Sequence, residues 1–233
     1  MSTDLQELVD SKVNELKKED NVRAVAVVGS YARTPGKNHN DIDIFVVVDE
    51  EWRRRETYEE NGEVWEIFYN SMDWIESYFE EGQWYLYHWI KNRDVKYDPE
   101  GLFEELEDLA EEFKEEEFDL NKERISYNIW DLLQDINSDD VAQKRLMMYQ
   151  AFDYILEKHY LVCEQPLVKE NYRLEKLKEF DGYMYKLSQE FLNSSSTAEK
   201  ERKLDKIVEH FSRKLGREPS PEWETEKEKL DQA

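Results

Sequence analysis

Two short apolar runs, the second headed by a pair of carboxylates, constrain this chain more than any other feature. VRAVAVV, residues 22–28, carries one charge, and IDIFVVV, residues 42–48, also carries one. Runs without polar alternation need apolar cover on both faces, so both read as central strands of a layered α/β arrangement. EVWEIFY, residues 63–69, is a third strand rich in aromatic and β-branched residues, with the Asn61-Gly62 turn just before it. Ahead of the first run, Leu5, Leu8, Val9, Val13 and Leu16 fall on one side of a helical period over residues 3–18.

Beyond residue 73 the period changes to that of helices. Residues 73–92 read as one broken helix or two short ones around Gly82, followed by a short extended piece, VKYDP. Leu102, Leu106, Leu109 and Phe113 then mark a helix with an acidic outer face. A domain boundary is expected near residues 114–121. After it, helices are expected over about 121–137, 139–160, 170–192 and 197–215, joined by short polar links as in an antiparallel bundle. The expected organisation is α+β: a first domain over 1–118, a helical domain over 119–215, and a polar, proline-broken, loosely held tail over 216–233.

Charge narrows the partners. With 32 Lys and Arg against 56 Asp and Glu, the formal net charge is −24. Such a surface repels nucleic-acid polymers and anionic lipid. It excludes single nucleotides less strictly, because a local cation can offset the phosphate charge. Cys163 is the only cysteine, so no intramolecular disulfide or cysteine cluster is available. The N-terminus has no basic leader, and no run of 18 apolar residues occurs. A cytoplasmic protein without a membrane span is the expectation.

The segment with chemical content runs from Gly29 to Val46. An apolar strand enters Gly29, which can turn sharply and let a ligand approach the main chain. Ser30 opens a short helix where backbone N–H groups and the hydroxyl can meet an anion. Asp41 and Asp43 then head the second strand, two residues apart and therefore on one face, while Ile42 and Ile44 pack on the other. Two carboxylates this close call for a cation between them. Magnesium is the ordinary oxygen-loving choice and brings phosphate oxygens with it. A third carboxylate is available on the next strand, either Glu66, framed by apolar neighbours, or Glu63.

GSYAR (residues 29–33) after a strand, then D-I-D on another strand and a separate later carboxylate, resembles the DNA polymerase beta-type nucleotidyltransferase superfamily. Its small antibiotic (aminoglycoside and lincosamide) nucleotidyltransferases and minimal nucleotidyltransferases are the most similar members. The likeness covers about residues 20–70. Thr34-Pro35-Gly36 and Asn40 stand where such members often have glycine and serine. The resemblance implies a polymerase-beta-like domain with a small mixed sheet, followed by a helical bundle. It also implies that Asp41, Asp43 and Glu66 bind magnesium and are catalytic, and that Gly29 and Ser30 contact the triphosphate. Arg33 is placed with those two as a nucleotide-binding residue.

The resulting expectation is transfer of AMP from ATP to a hydroxyl of a small acceptor. The negative charge favours a cationic acceptor and suggests antibiotic resistance. A protein-modifying, antitoxin-like transferase with a protein acceptor and a noncatalytic nucleotide-binding module are the alternatives, and a homodimer is allowed. Lys37 and His39 in the intervening loop are lesser candidates for phosphate contact. Asp131 and Asp135, one helical turn apart, could supply a base but read more simply as surface charge. Tyr127, Trp130, Tyr149, Phe152 and Tyr154 read chiefly as bundle core, with an acceptor pocket as the competing role. Arg145 with His159 is too widely spaced for a ribonuclease-like motif.

Overall fold

The computed structural model describes residues 5–33 and 41–224. The chain divides into two compact units, the first ending at Glu117 and the second starting at Phe118.

In the first unit, α1 (Leu5–Leu16) leads into β1 (Val22–Val28), the short helix α2 (Gly29–Arg33) and β2 (Ile42–Val48). Next come β3 (Arg54–Glu60), β4 (Glu63–Asn70), α3 (Met72–Glu80), α4 (Trp84–Lys91), β5 (Asp94–Tyr97) and α5 (Leu102–Phe118). The five strands form one mixed sheet in the order β3-β4-β2-β1-β5. Only the β2–β4 pair is parallel. Every residue of β2 is buried, which explains its lack of alternation. On one face Ile42, Ile44 and Val46 join Val25, Val27, Trp65 and Ile67 beneath Val9, Val13 and Leu16 of α1. On the other, Phe45 meets Trp89 and Phe103 at 6.2 and 6.3 Å, and Phe68 meets Trp89 at 4.7 Å. The sheet is therefore covered on both sides, as the two apolar runs require.

The strand β3 is not expected from hydrophobic content, since RRETYEE is almost wholly charged. It forms as the first arm of a hairpin through Asn61 and Gly62, both at positive φ. Side-chain stems hold it down: Arg54 lies 4.2 Å from the Tyr69 ring centroid, Arg55 lies 4.9 Å from that of Phe68, and Lys12 reaches both Tyr58 and Glu60.

The second unit contains α6 (Lys122–Asp135), α7 (Val141–Val162), α8 (Glu170–Phe180), α9 (Gly182–Asn193) and α10 (Thr197–Leu215). Its core includes Ile129, Met148, Ile155, Leu177, Met184, Phe191, Ile207 and Phe211. The helix expected over 170–192 is two helices, because Asp181 leaves helical geometry and caps α9 by accepting from the Met184 N–H at 2.9 Å. Ser196 caps α10 in the same way through the Glu199 N–H, and Gly216 ends it in the left-handed conformation.

The expectation of a loose tail fails for its first part. Trp223 packs against Tyr127 at 5.2 Å, Ser126 donates to the Glu218 carbonyl, and Arg217 pairs with Glu123 at 3.0 Å. One tryptophan and two polar ties outweigh the breaking effect of Pro219 and Pro221. The remainder, residues 225–233, lies outside the described residues. Among the described residues, no helix is long and apolar enough to cross a membrane.

Candidate active site: carboxylates on adjacent strands

The backbone ladder sets this site. In the parallel β2–β4 pair, Asp43 lies directly opposite Glu66, and in the β1–β2 pair Asp43 lies opposite Val28, the residue before Gly29. Asp41, two positions before Asp43, projects to the same side as the pleat demands. One carboxylate oxygen from each of Asp41, Asp43 and Glu66 lies within 4.8 Å of the others. Glu63 is three positions from Glu66 on β4, hence on the opposite face, and pairs in register with Glu60.

Gly29 is what lets Asp43 occupy its place. Its φ is +71°, and a Cβ there would sit 1.9 Å from Asp43 Oδ2. The backbone at the end of β1 thus touches the carboxylate, an approach only glycine allows. Ser30 and Tyr31 follow in α2; Tyr31 is buried, Ser30 is half-buried, and Arg33 is exposed at the end of that helix. Asp43 itself retains only 9% of its surface. Hard oxygen donors in this grouping fit a divalent cation of the magnesium class.

Arg55 was missed by the sequence reading. It projects from β3 on the Asp43 face and its guanidinium meets Glu66 Oε2 at 2.6 Å while lying over Phe68. The signal available was the Asn-Gly turn: folding RRETYEE back over WEIFY brings Arg55 next to Glu66. Among the described residues, the candidate site thus brings together three carboxylates and one guanidinium.

The other sequence candidates fall elsewhere. Lys37 and His39 lie outside the described residues. Asp131 and Asp135 are exposed on α6 of the second unit. Phe152 is core, stacked on Phe191 at 4.7 Å, and the Tyr154 hydroxyl accepts from Asn128. Tyr149 is 40% exposed beside Phe191, and Tyr127 of α6 packs against both Trp130 of the same helix and Trp223. Arg145 is occupied at the start of α10 by the Thr197 hydroxyl and the Ser195 carbonyl. A cavity of about 660 Å³ in the first unit is lined by Val47, Asp49, Trp52, Ser71 and Asp73, at the far end of β2 from Asp43.

Comparison with known proteins bears on the fold of the first unit. Residues 12–100 match the family model described as "Polymerase beta, Nucleotidyltransferase". The first unit therefore carries a nucleotidyltransferase-type domain of the polymerase beta kind, with an acidic triad suited to a divalent cation. The structure is similar to that of a nucleotidyltransferase-like protein from Exiguobacterium sibiricum 255-15, with a TM-score of 0.52 and 13% identity over 91% of this chain and 78% of that one. At that identity the likeness is one of fold. No curated protein matches the sequence.

Proposed function

We propose that this chain transfers a nucleoside monophosphate, AMP from ATP, to a hydroxyl group of a small acceptor. The observation that carries the reading is the triad of Asp41, Asp43 and Glu66, one oxygen from each within 4.8 Å, beside a glycine that has no room for a side chain. In this reading the acceptor oxygen bonds to the α-phosphorus, the bond from that phosphorus to the bridging oxygen breaks, pyrophosphate departs, and the hydroxyl proton passes to solvent or a base.

Asp41, Asp43 and Glu66 are the residues that would hold magnesium, which when bound would supply Lewis-acid chemistry to the phosphoryl group and the acceptor hydroxyl. The Gly29–Ser30 backbone lies against the triphosphate, where the missing side chain lets phosphate come close. Arg33 offers it a positive charge. Arg55 orients the Glu66 carboxylate from the β3 side. The net charge of −24 favours a cationic acceptor such as an aminoglycoside. Antibiotic modification follows as the biological setting.

The test is direct. The protein is incubated with magnesium, each labelled nucleoside triphosphate in turn and pools of hydroxylated acceptors, and products are sought by mass spectrometry. A labelled adduct with pyrophosphate release, abolished by chelator, supports the reading. Triphosphate binding of equal affinity with and without a divalent cation overturns it.

A further inference from the structure

The second unit contains a polar cluster that the proposed transfer does not use. His159, in the middle of the last turns of α7, is fully buried. Its Nε2 lies 3.1 Å from Asp181 Oδ2, and His210 Nε2 on α10 lies 2.8 Å from the same oxygen. Asp181 divides its labour: Oδ1 caps α9 through the Met184 N–H, leaving Oδ2 to face both imidazoles. The three side chains come from α7, the α8–α9 junction and α10, positions 159, 181 and 210, so only the folded bundle brings them together.

We propose that His159, Asp181 and His210 form a binding site for a divalent transition ion of the zinc class, which ties these three helical segments together. Two imidazoles and one carboxylate are the donor set such ions prefer, whereas magnesium prefers oxygen alone. Around a four-coordinate zinc, with bonds of about 2.0–2.2 Å, donor atoms stand roughly 3.3–3.5 Å apart. Here one ligand atom from each residue lies within 4.8 Å of the others. The observed 3.1 and 2.8 Å therefore need only small side-chain movements for an ion to enter. Cys163 Sγ lies 3.7 Å from His159 Nε2, a soft neighbour that further favours zinc over magnesium.

Access and proton balance are both definable. His210 keeps 13% of its side chain exposed, which gives the ion a path from solvent. Metal binding takes the Nε2 lone pair of each imidazole, so the proton that Nε2 donates to Asp181 moves to Nδ1. For His159 that nitrogen is buried without a hydrogen-bond partner among the described residues, which moderates the affinity without closing the site.

The experiment uses the full chain, stripped with chelator and titrated with zinc in excess magnesium so that the carboxylates of the first unit are already supplied. One equivalent of zinc should bind and raise the melting temperature. His210→Ala, at the solvent-facing ligand, should weaken that binding by about a hundredfold or more, since even outer partners of metal ligands cost ten- to a hundredfold. Zinc affinity unchanged in H210A, or no zinc-dependent rise in melting temperature of the unmodified protein, overturns the proposal. Should H210A fail to fold, the cobalt spectrum of the unmodified protein decides. Intense visible bands of a four- or five-coordinate, nitrogen-ligated ion support the site, and the weak spectrum of six-coordinate, all-oxygen cobalt overturns it.

Discussion

Gly29→Ala is the sharpest test of how the candidate active site is built, because Gly62→Ala provides an internal control. Both glycines sit in the first unit at positive φ, +71° and +83°. Forcing an L-residue into that region costs about 1–2 kcal/mol at either position. For a chain of this length that corresponds to a fall in melting temperature of roughly 2–8 °C. The surroundings differ sharply. A Cβ at Gly62 meets nothing within 4 Å, whereas at Gly29 it meets Asp43 Oδ2 at 1.9 Å and Cγ at 2.9 Å.

To regain ordinary contact at 3.4 Å, the Asp43 oxygen must retreat by about 1.5 Å. A displacement of about 1 Å at a reacting centre can cost 10²-fold in rate. The expected result is a loss of stability in both variants, larger in G29A, where the clash with Asp43 adds to the backbone strain the two share. G29A loses magnesium-dependent triphosphate binding by tenfold or more and turnover by about 10²-fold, while G62A retains both. Calorimetry with and without chelator, paired with thermal unfolding of the metal-free proteins, reads these out. Magnesium-coupled binding in G29A within twofold of G62A would refute the claim that Gly29 makes room for a working Asp43.

Three further outcomes are expected. Asp43→Asn should abolish transfer at saturating magnesium and nucleotide, yet leave the metal-free melting temperature equal or higher, since it nearly conserves volume and relieves like-charge repulsion; collapsed stability would mark Asp43 as merely structural. Arg55→Ala should lose little stability through the Glu66 ion pair itself, because the Arg55 side chain is more than half exposed, and should raise magnesium affinity without nucleotide severalfold by removing the cation that shares Glu66; weaker magnesium binding would contradict this. Hydrogen bonds from Lys91 and Arg93 pull the Glu107 carboxyl down from 4.5 to about 2. The unfolded state therefore takes up the proton first on acidification. The stabilisation from Glu107 should be complete above about pH 4.5 and fade as pH falls towards 2, so the difference in stability between the unmodified protein and Glu107→Gln, followed by denaturant titration, should shrink across that window.

Much of this arrangement was legible in the linear chain, for identifiable reasons. Residues 22–28 and 42–48 declare themselves because a strand covered on both faces has no polar alternation to disguise it. The Asp41–Asp43 spacing places both carboxylates on one face whatever the rest of the fold does, and Gly29 before Ser30 marks a close backbone approach. The β3 strand was illegible because an edge strand held by arginine stems and an Asn-Gly turn carries almost no apolar signal. Its absence from the reading also hid Arg55. Asp181 was read through because leucines and aromatics continue on either side of it, although Asp-Gly at 181–182 was the available break. The His159–Asp181–His210 cluster lies beyond any local pattern, since its members are separated by 22 and 29 residues and meet only when three helical segments pack.

The charged outer strand also bears on how copies of this protein meet. The sheet ends at β3 on one side and at β5 on the other, and every β3 residue is exposed except the half-buried Glu56 and Tyr58. A second copy adding a strand along β3 would bring RRETYEE against another charged segment, with arginine stems already committed to Tyr69 and Phe68. The short β5, DVKY, presents two charges in four residues. Open edges of this kind resist strand-to-strand association even in a concentrated, partly unfolded population. Continuing the sheet from one copy to another is therefore disfavoured, and loss of the β3 charges would expose the chain to edge-to-edge aggregation before it affected the buried strands.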